Sequence, residues 1–308
     1  MNSFPKFPSW TDDTFWIVRA AGERTKTACH QLIAEIVPPE RLLVIEERPF
    51  TRAIKHTLEA GADSGQTWTV VIDADVLIDP RGWQQLLEDA RRQPEDVYCV
   101  QGMTADKFIP IFRPVGIGMY RSKLMPLGLS GIPTVGKSLR PESTVVEHIF
   151  SQGYRRYRTP HKLGIHDHYQ GNADILRKTF LHRAKHANVA EEMKAYWENH
   201  RDADIDFRLA LLGAHEYEQS DQNVEVDRNF LRERFEEILL REGIPGKPTF
   251  EPGSDLPQIV RDHLDHFEPN RFIQQKKFPT FDRFTYGGYQ KSSLLRRVKR
   301  KLRKLIVR

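Results

Sequence analysis

Two aspartates one residue apart, Asp73 and Asp75, follow an apolar segment that ends in Val70, Val71 and Ile72. Such a short β-branched run predicts a buried strand, and ligands bind at the ends of strands in open α/β sheets. Two carboxylates repel each other unless a cation lies between them, so this pair predicts a Mn²⁺ or Mg²⁺ site that a substrate diphosphate completes. The alternative is that one aspartate only caps the following turn.

Strands and helices alternate along the first half of the chain. The pattern predicts an α/β fold, a Rossmann-like, mainly parallel sheet with flanking helices. A helical region and then an extended, wrapping segment follow it. We therefore expect a catalytic domain over residues 1–172, a helical and wrapping extension over 173–289, and a tail helix over 290–308.

The composition is that of a soluble protein with a polar surface, because 39% of its 308 residues are hydrophobic and 29% are charged. The N-terminal segment lacks the order of a signal peptide, and no apolar run is long enough to span a bilayer. Cys29 and Cys99 could form at most one disulfide and have no zinc-site spacing. These features favour a cytoplasmic location.

Four segments together resemble glycosyltransferases of the GT-A fold that use nucleotide-sugars, closest in pattern to the family-2-like group. The resemblance covers about residues 14–170. It rests on the segment 19–24 after the first strand, the pair Asp73 and Asp75, the glycine-rich segment 116–121, and Glu142 with the helix that leads to Gly153.

The resemblance implies a role for each segment. Asp75 is the first candidate for direct metal coordination, and Asp73 would meet the ribose or a metal-bound water. Glu142 falls on the position of the catalytic base, although an acid at the start of a helix is also stabilised by the helix dipole. Further nucleotide contacts would come from Arg19, Ala20, Gly22, Arg24 and Glu46, with a solvated turn as the alternative for Glu46.

His166 and His168 lie two residues apart, so on an extended segment both point to the same side. An imidazole can complete a Mn²⁺ shell that carboxylates begin, and the resemblance implies such a histidine late in the domain. We expect one of the two to be a ligand. Asp167 could orient a histidine, and a hydrogen-bonded surface cluster is the alternative.

The last 18 residues hold nine lysines and arginines and no acid. The total net charge is +5, of which this tail supplies +9, so the first 290 residues carry −4. One helical face, opposite the cations, carries Leu295, Val298, Leu302, Leu305 and Ile306. This pattern predicts an interfacial helix on an anionic membrane. The alternatives are a solvated or self-packed tail and nucleic-acid binding, which the acidic body disfavours.

The hypothesis is therefore a metal-dependent glycosyltransferase, peripheral on the inner face of the cell membrane. It would move a sugar from a nucleoside-diphosphate donor, with UDP favoured, to a glycan or lipid-linked acceptor with inversion. The alternatives are a sugar-phosphate nucleotidyltransferase and a non-catalytic binding protein with a transferase-like domain.

Overall fold

The computed structural model describes residues 7–220, 224, 231–277 and, for the backbone only, 285–288. Within this part of the chain, one sheet contains nine strands. They are β1 (Thr14–Arg19), β2 (Leu42–Ile45), β3 (Trp68–Asp73), β4 (Val76–Ile78), β5 (Val97–Asp106), β6 (Phe112–Arg113), β7 (Ile117–Arg121), β8 (Arg155–His166) and β9 (Thr285–Gly288).

The sheet contains two groups of parallel strands, and an antiparallel strand joins the two groups. The strand order is β2-β1-β3-β7-β5-β8-β4, with β6 paired to β5 and β9 paired to β8. Strand β1 runs parallel to β2 and β3, and β5 runs parallel to β8. Strand β7 is antiparallel to both neighbours, β3 and β5. The predicted α/β class with a Rossmann-like arrangement is confirmed.

Helices cover both faces of this sheet. They are α1 (Lys26–Ala34), α2 (Phe50–Asp63), α3 (Pro80–Arg91), α4 (Pro141–Ser151), α5 (Asn172–Lys185), α6 (Ala190–His200), α7 (Ile205–Glu218), α8 (Arg232–Arg241), α9 (Leu256–His266) and α10 (Arg271–Lys277). Short 3₁₀ segments lie at Ser9–Thr11, Pro39–Arg41, Ser122–Gly131 and Ala187–Val189.

Two apolar clusters enclose the sheet. Helices α1, α3 and α9 pack on one face, where the rings of Trp16 and Trp83 lie 5.0 Å apart. Helices α2 and α4 pack on the other face, around Met125 and Tyr98. The helices after β8 have a further core around Phe180, which also receives Ile109 from the loop after β5. Apolar cores thus lie on both faces of the sheet and among the helices that follow β8.

The segment after residue 243 differs from the prediction of an extended wrap, because it contains α9 and α10. Leu256, Val260 and Leu264 recur every four residues and are buried against the first core. That spacing is helical, and the prolines and glycines around it obscured the pattern. The predicted tail helix lies outside the described residues. None of the helices that are described has the length and apolar character needed to cross a bilayer.

Candidate active site

A cleft of about 610 Å³, with many charged residues in its lining, opens at one edge of the sheet. Strands β1, β3 and β8 end at this edge, and β7 begins there. Of the predicted residues, Arg19, Asp73, Asp75, Glu142 and His166 line the cleft. The two aspartates were predicted to lie at the end of a strand. At that strand end they line an open cavity.

Three potential metal ligands converge in the cleft. One ligand atom from each of Asp75, His166 and Asp167 lies within 4.8 Å of the other two. The antiparallel register of β4 and β8 pairs Val76 with His166, and the backbone N–H of Asp167 donates to the carbonyl of Asp75 at 3.2 Å. Residues far apart in the sequence thus form one cluster, which we call the metal cluster.

His166 is held in an orientation that suits a ligand. Its Nδ1 lies 2.8 Å from Oδ2 of the buried Asp106, and its Nε2 lies 3.6 Å from Oδ1 of Asp75. A carboxylate on one ring nitrogen fixes the tautomer and leaves the other nitrogen for a metal. Burial alone would lower the pKa of His166, but the neighbouring carboxylates of Asp167 and Asp75 raise it above its ordinary value.

Lys178 supplies a cation to this cluster. Its ammonium contacts both Asp75 and Asp167, and its side chain is only 12% exposed. Burial would lower the pKa of Lys178, but these two carboxylates raise it. The carboxylates of Asp75 and Asp167 are therefore paired with a cation of the same chain. Two carboxylates and one imidazole are also a donor set that fits Mn²⁺ or Mg²⁺.

His168 does not join the metal cluster, in contrast to the prediction that both histidines point the same way. Strand β8 ends at His166, and Asp167 adopts a left-handed backbone with φ of 67°. The alternation of an extended strand is lost at that residue, since alternation requires β conformation. The ring of His168 instead lies 5.1 Å from that of His263. Of the two histidines, His166 joins the cluster, and Asp167, which was expected at most to orient a histidine, is a member of the cluster itself.

Arg19 connects Asp73 to Glu142, the candidate base. Its Nη2 lies 2.7 Å from Oδ1 of Asp73, and its Nη1 lies 3.1 Å from Oε1 of Glu142. The hydroxyl of Tyr120 donates to the same oxygen of Glu142 at 2.9 Å. Burial raises the pKa of Asp73 to about 6, although the Arg19 guanidinium opposes that rise. Asp73 therefore forms an ion pair with Arg19 and is not a member of the metal cluster.

The other predicted nucleotide contacts divide into two groups. Ala20 lines the cleft, as predicted. Gly22 lies in a turn with φ of 94°, outside the lining. Arg24 donates to the carbonyl of Pro248 at 2.8 Å and so attaches the C-terminal segment to the domain. Glu46 is exposed and forms a 2.9 Å ion pair with Lys26. The acid of that turn that lines the cleft is Glu47.

Gly116 allows β7 to approach the metal cluster. Its φ is 64°, and its carbonyl accepts from the backbone N–H of Asp73 at 2.8 Å. A Cβ at this position would lie 2.5 Å from Cγ2 of Val76 and 3.1 Å from Cδ2 of His166. The glycine-rich segment that carried part of the resemblance is therefore required sterically beside His166.

The sequence reasoning missed the basic residues of α5. Lys178, His182 and Lys185 all line the cleft, and they stand four and three residues apart. That spacing places them on one helical face. It was visible in the sequence, but a charged helical face is most often solvated, so it gave no functional signal by itself.

No family model matches the chain, and no curated protein matches it. Among solved structures, the mannosyltransferase PcManGT from Pyrobaculum calidifontis, in complex with GDP-Man and Mn²⁺, has a TM-score of 0.39 and 14% identity; the match covers 75% of this chain and 83% of that one. A glycosyltransferase involved in glycosylation of the major capsid of PBCV-1 has a TM-score of 0.35 and 12% identity, covering 48% and 82%. A197 from STIV has a TM-score of 0.35 and 12% identity, covering 49% and 83%.

Proposed function

We propose that this chain is a metal-dependent glycosyltransferase that uses a nucleoside-diphosphate-sugar. The observation that supports this most strongly is the metal cluster of Asp75, His166 and Asp167 at the strand-end edge of an open cleft. The same cleft holds Glu142, a carboxylate suited to accept a proton from an acceptor hydroxyl.

The metal cluster is the proposed site of the donor diphosphate. Asp75, His166 and Asp167 would hold Mn²⁺ or Mg²⁺, which supplies positive charge to stabilise a leaving nucleoside diphosphate. Lys178 already contacts two of these residues, so its ammonium is positioned to share the charge of the phosphates. Arg19, Asp73 and Ala20 form the adjoining wall, where the nucleoside would lie.

Glu142 is the proposed base of an inverting transfer. The acceptor oxygen attacks the anomeric carbon, the bond from that carbon to the phosphate oxygen breaks, and the nucleoside diphosphate leaves with the electron pair. The acceptor proton passes to Glu142. Arg19 and Tyr120 both contact Oε1, and among the described residues no hydrogen bond is formed by Oε2. One carboxylate oxygen is thus held in place while the other can receive the proton.

For the finer details, we propose a UDP-sugar donor and a glycan or lipid-linked acceptor at the inner face of the cell membrane. The support for the membrane is the basic, apolar-striped tail on a body of opposite net charge. Near an anionic surface each basic residue contributes about 1 kcal/mol.

A thermal-shift screen of UDP-, GDP- and CMP-sugars with and without Mn²⁺ tests the proposal, because a ligand that binds only the native state raises the melting temperature. We expect stabilisation by one nucleotide class that requires Mn²⁺ and is lost in Asp75→Asn. The matched control is Asp202→Asn, since the Asp202 side chain is 98% exposed and outside the cleft lining. Stabilisation of Asp75→Asn equal to that of the unmodified chain would overturn the assignment.

A further inference from the structure

One end of the cleft is lined by cations that the proposed transfer does not use. Arg113, Arg140, Arg177 and Lys185 all face this end, together with His182 and His186. We call this set the cationic end. The acid that contacts it, Asp106, is fully buried and already bonded to Arg113 Nε at 2.8 Å and to His166 Nδ1 at 2.8 Å. Arg140 and Lys185, in contrast, form no ion pair with a carboxylate among the described residues.

The cationic end is assembled from separate elements. Arg113 comes from β6, Arg140 directly precedes α4, and Lys185 ends α5. Arg140 Nη2 donates to the backbone carbonyl of Lys185 and lies 3.3 Å from Nδ1 of His186. These contacts attach the Arg140 side chain to the end of α5 without a carboxylate. Among the described residues, the ammonium of Lys185 has neither a hydrogen bond nor an ion pair, although it points into a partly buried region.

Burial and the proximity of these basic residues lower the pKa values of Lys185 and His182. Burial and the neighbouring Arg177, Arg140 and Arg113 lower the pKa of Lys185 to about 7. Burial and Arg113 also lower the pKa of His182 well below its ordinary value. Like charges brought together in a partly desolvated site are unfavourable unless an anion joins them.

The donor diphosphate does not reach Arg140 and Lys185, although Arg113 lies beside the metal cluster through Asp106, which contacts both Arg113 and His166. Lys178 contacts the metal cluster, and Lys185 lies seven residues farther along the same face of α5. At a rise of 1.5 Å per residue this is about 10 Å, which is longer than two linked phosphates.

The cationic end instead adjoins the candidate base. Arg140 precedes Glu142 by two residues, and both line the cleft. An acceptor that presents its hydroxyl to Glu142 would therefore place its next substituent near Arg140 and Lys185.

We propose that the cationic end binds a phosphate or diphosphate group carried by the acceptor, close to the hydroxyl that receives the sugar. This inference rests on the proposed function, since that function defines the acceptor. The same chemistry could come from a polyprenyl-linked phosphate in a membrane or from a soluble sugar phosphate. Guanidinium and ammonium groups bind phosphate oxygens through charge-assisted hydrogen bonds.

Calorimetric titration of inorganic phosphate into protein saturated with UDP and Mg²⁺ tests the site. We expect Arg140→Gln/Lys185→Gln to weaken phosphate binding at least about tenfold while UDP binding changes less than about twofold. The matched control is Lys194→Gln/Arg201→Gln, which removes the same charge outside the cleft lining. The proposal is wrong if the first pair leaves phosphate binding unchanged, if the control weakens it equally, or if UDP binding falls in parallel.

The test also separates this inference from the proposed function. If the chain does not bind UDP with a metal, the proposed function fails, and titration of phosphate alone still measures the cationic end.

The two sources are distinguished with phosphatidylcholine vesicles that contain or lack polyprenyl phosphate, and with soluble hexose phosphates as competitors. Retention on the polyprenyl phosphate vesicles that is lost in the double variant identifies a lipid-linked acceptor. Binding of hexose phosphate alone, lost in the same variant, identifies a soluble acceptor. If neither compound binds better to the unmodified chain than to the double variant, the inference is overturned.

Discussion

The ammonium of Lys178 contacts the carboxylate of Asp75 inside the cluster that we assign to the metal. Both side chains are largely buried, at 12% and 11% exposure, and Asp167 on the other side of the ammonium is fully buried. A buried carboxylate pair needs a cation, and here the chain supplies one of its own. A divalent ion and Lys178 are therefore expected to act on the same two carboxylates.

Replacing Lys178 should make stability depend on metal. Removing one partner of a buried ion pair costs about 3–5 kcal/mol, so Lys178→Met should lower the free energy of unfolding by about that amount in EDTA. Mn²⁺ should restore more stability to this variant than to the unmodified chain. Urea unfolding with EDTA and with Mn²⁺ measures both effects.

Lys123→Met is the control for that variant, because Lys123 forms an exposed ion pair with Glu95. Exposed pairs contribute less than about 1 kcal/mol, and Mn²⁺ should make no difference there. Equal unfolding free energies for Lys178→Met and the unmodified chain in EDTA would contradict the role of Lys178 as the resident cation.

Glu142→Gln should lower kcat by about 10²–10⁴-fold with little change in the Kd for UDP, because the side chain acts on the acceptor. The amide keeps an oxygen for the hydrogen bond from Tyr120, so the fold should persist. Steady-state kinetics and calorimetry separate the two quantities. Glu147→Gln, five residues further along α4 and also in the cleft lining, should be much milder. Loss of UDP binding together with a lower melting temperature would make Glu142 a structural helix-start residue.

Acid should destabilise the fold in part through His168. Burial, with His263 and Lys107, lowers the pKa of His168 from 6.5 to about 3. Below pH 6.5 the unfolded chain gains a proton on this imidazole that the folded chain does not bind, so stability falls as pH drops toward 3. One such proton changes the free energy of unfolding by about 1.4 kcal/mol per pH unit.

His168→Phe should reduce that dependence, since it keeps a ring against His263 and removes an Nε2 that has no hydrogen bond. Urea unfolding at pH values from about 4 to about 7 gives the slope of the free energy of unfolding against pH. His30→Phe, at an exposed position, is the control and should change the slope less. An identical slope in His168→Phe and the unmodified chain would show that His168 does not contribute.

Deleting residues 291–308 should leave a folded chain that binds donor but no longer sediments with anionic vesicles. The apolar stripe and the nine cations of this segment motivate the prediction. Binding of the full chain should weaken with salt, since the Debye length falls to about 3 Å at 1 M. Leu302→Glu should also impair it, because the apolar face is then interrupted. Unchanged vesicle binding after the deletion would exclude the tail as the membrane contact.

The sequence predicted the strands well where their apolar residues are local and continuous. The end of β3 at Asp73 follows from such a pattern. The start of helix α4 at Pro141 follows from another local signal, a proline and an acid in the first turn. The site was predicted less completely, because its contacts depend on tertiary placement. No local pattern shows that Arg19 joins Asp73 to Glu142, because Glu142 stands 123 residues after Arg19 in the chain.

The histidine pair shows a second limit of sequence reasoning. Whether His166 and His168 point the same way depends on the backbone of the single residue between them. Aspartate tolerates the left-handed conformation better than most residues, so Asp167 could end the strand without a glycine to signal the turn. Its carboxylate then joined the metal cluster, and His168 turned toward α9.

Direct measurement of Mn²⁺ binding by electron paramagnetic resonance tests the central claim, because free Mn²⁺ gives a signal that decreases on binding. In the presence of UDP we predict one bound Mn²⁺ per chain. Asp75→Asn should weaken this binding at least about tenfold, and Asp202→Asn should leave it unchanged. Mn²⁺ binding in Asp75→Asn that equals that of the unmodified chain would contradict the assignment of the cluster.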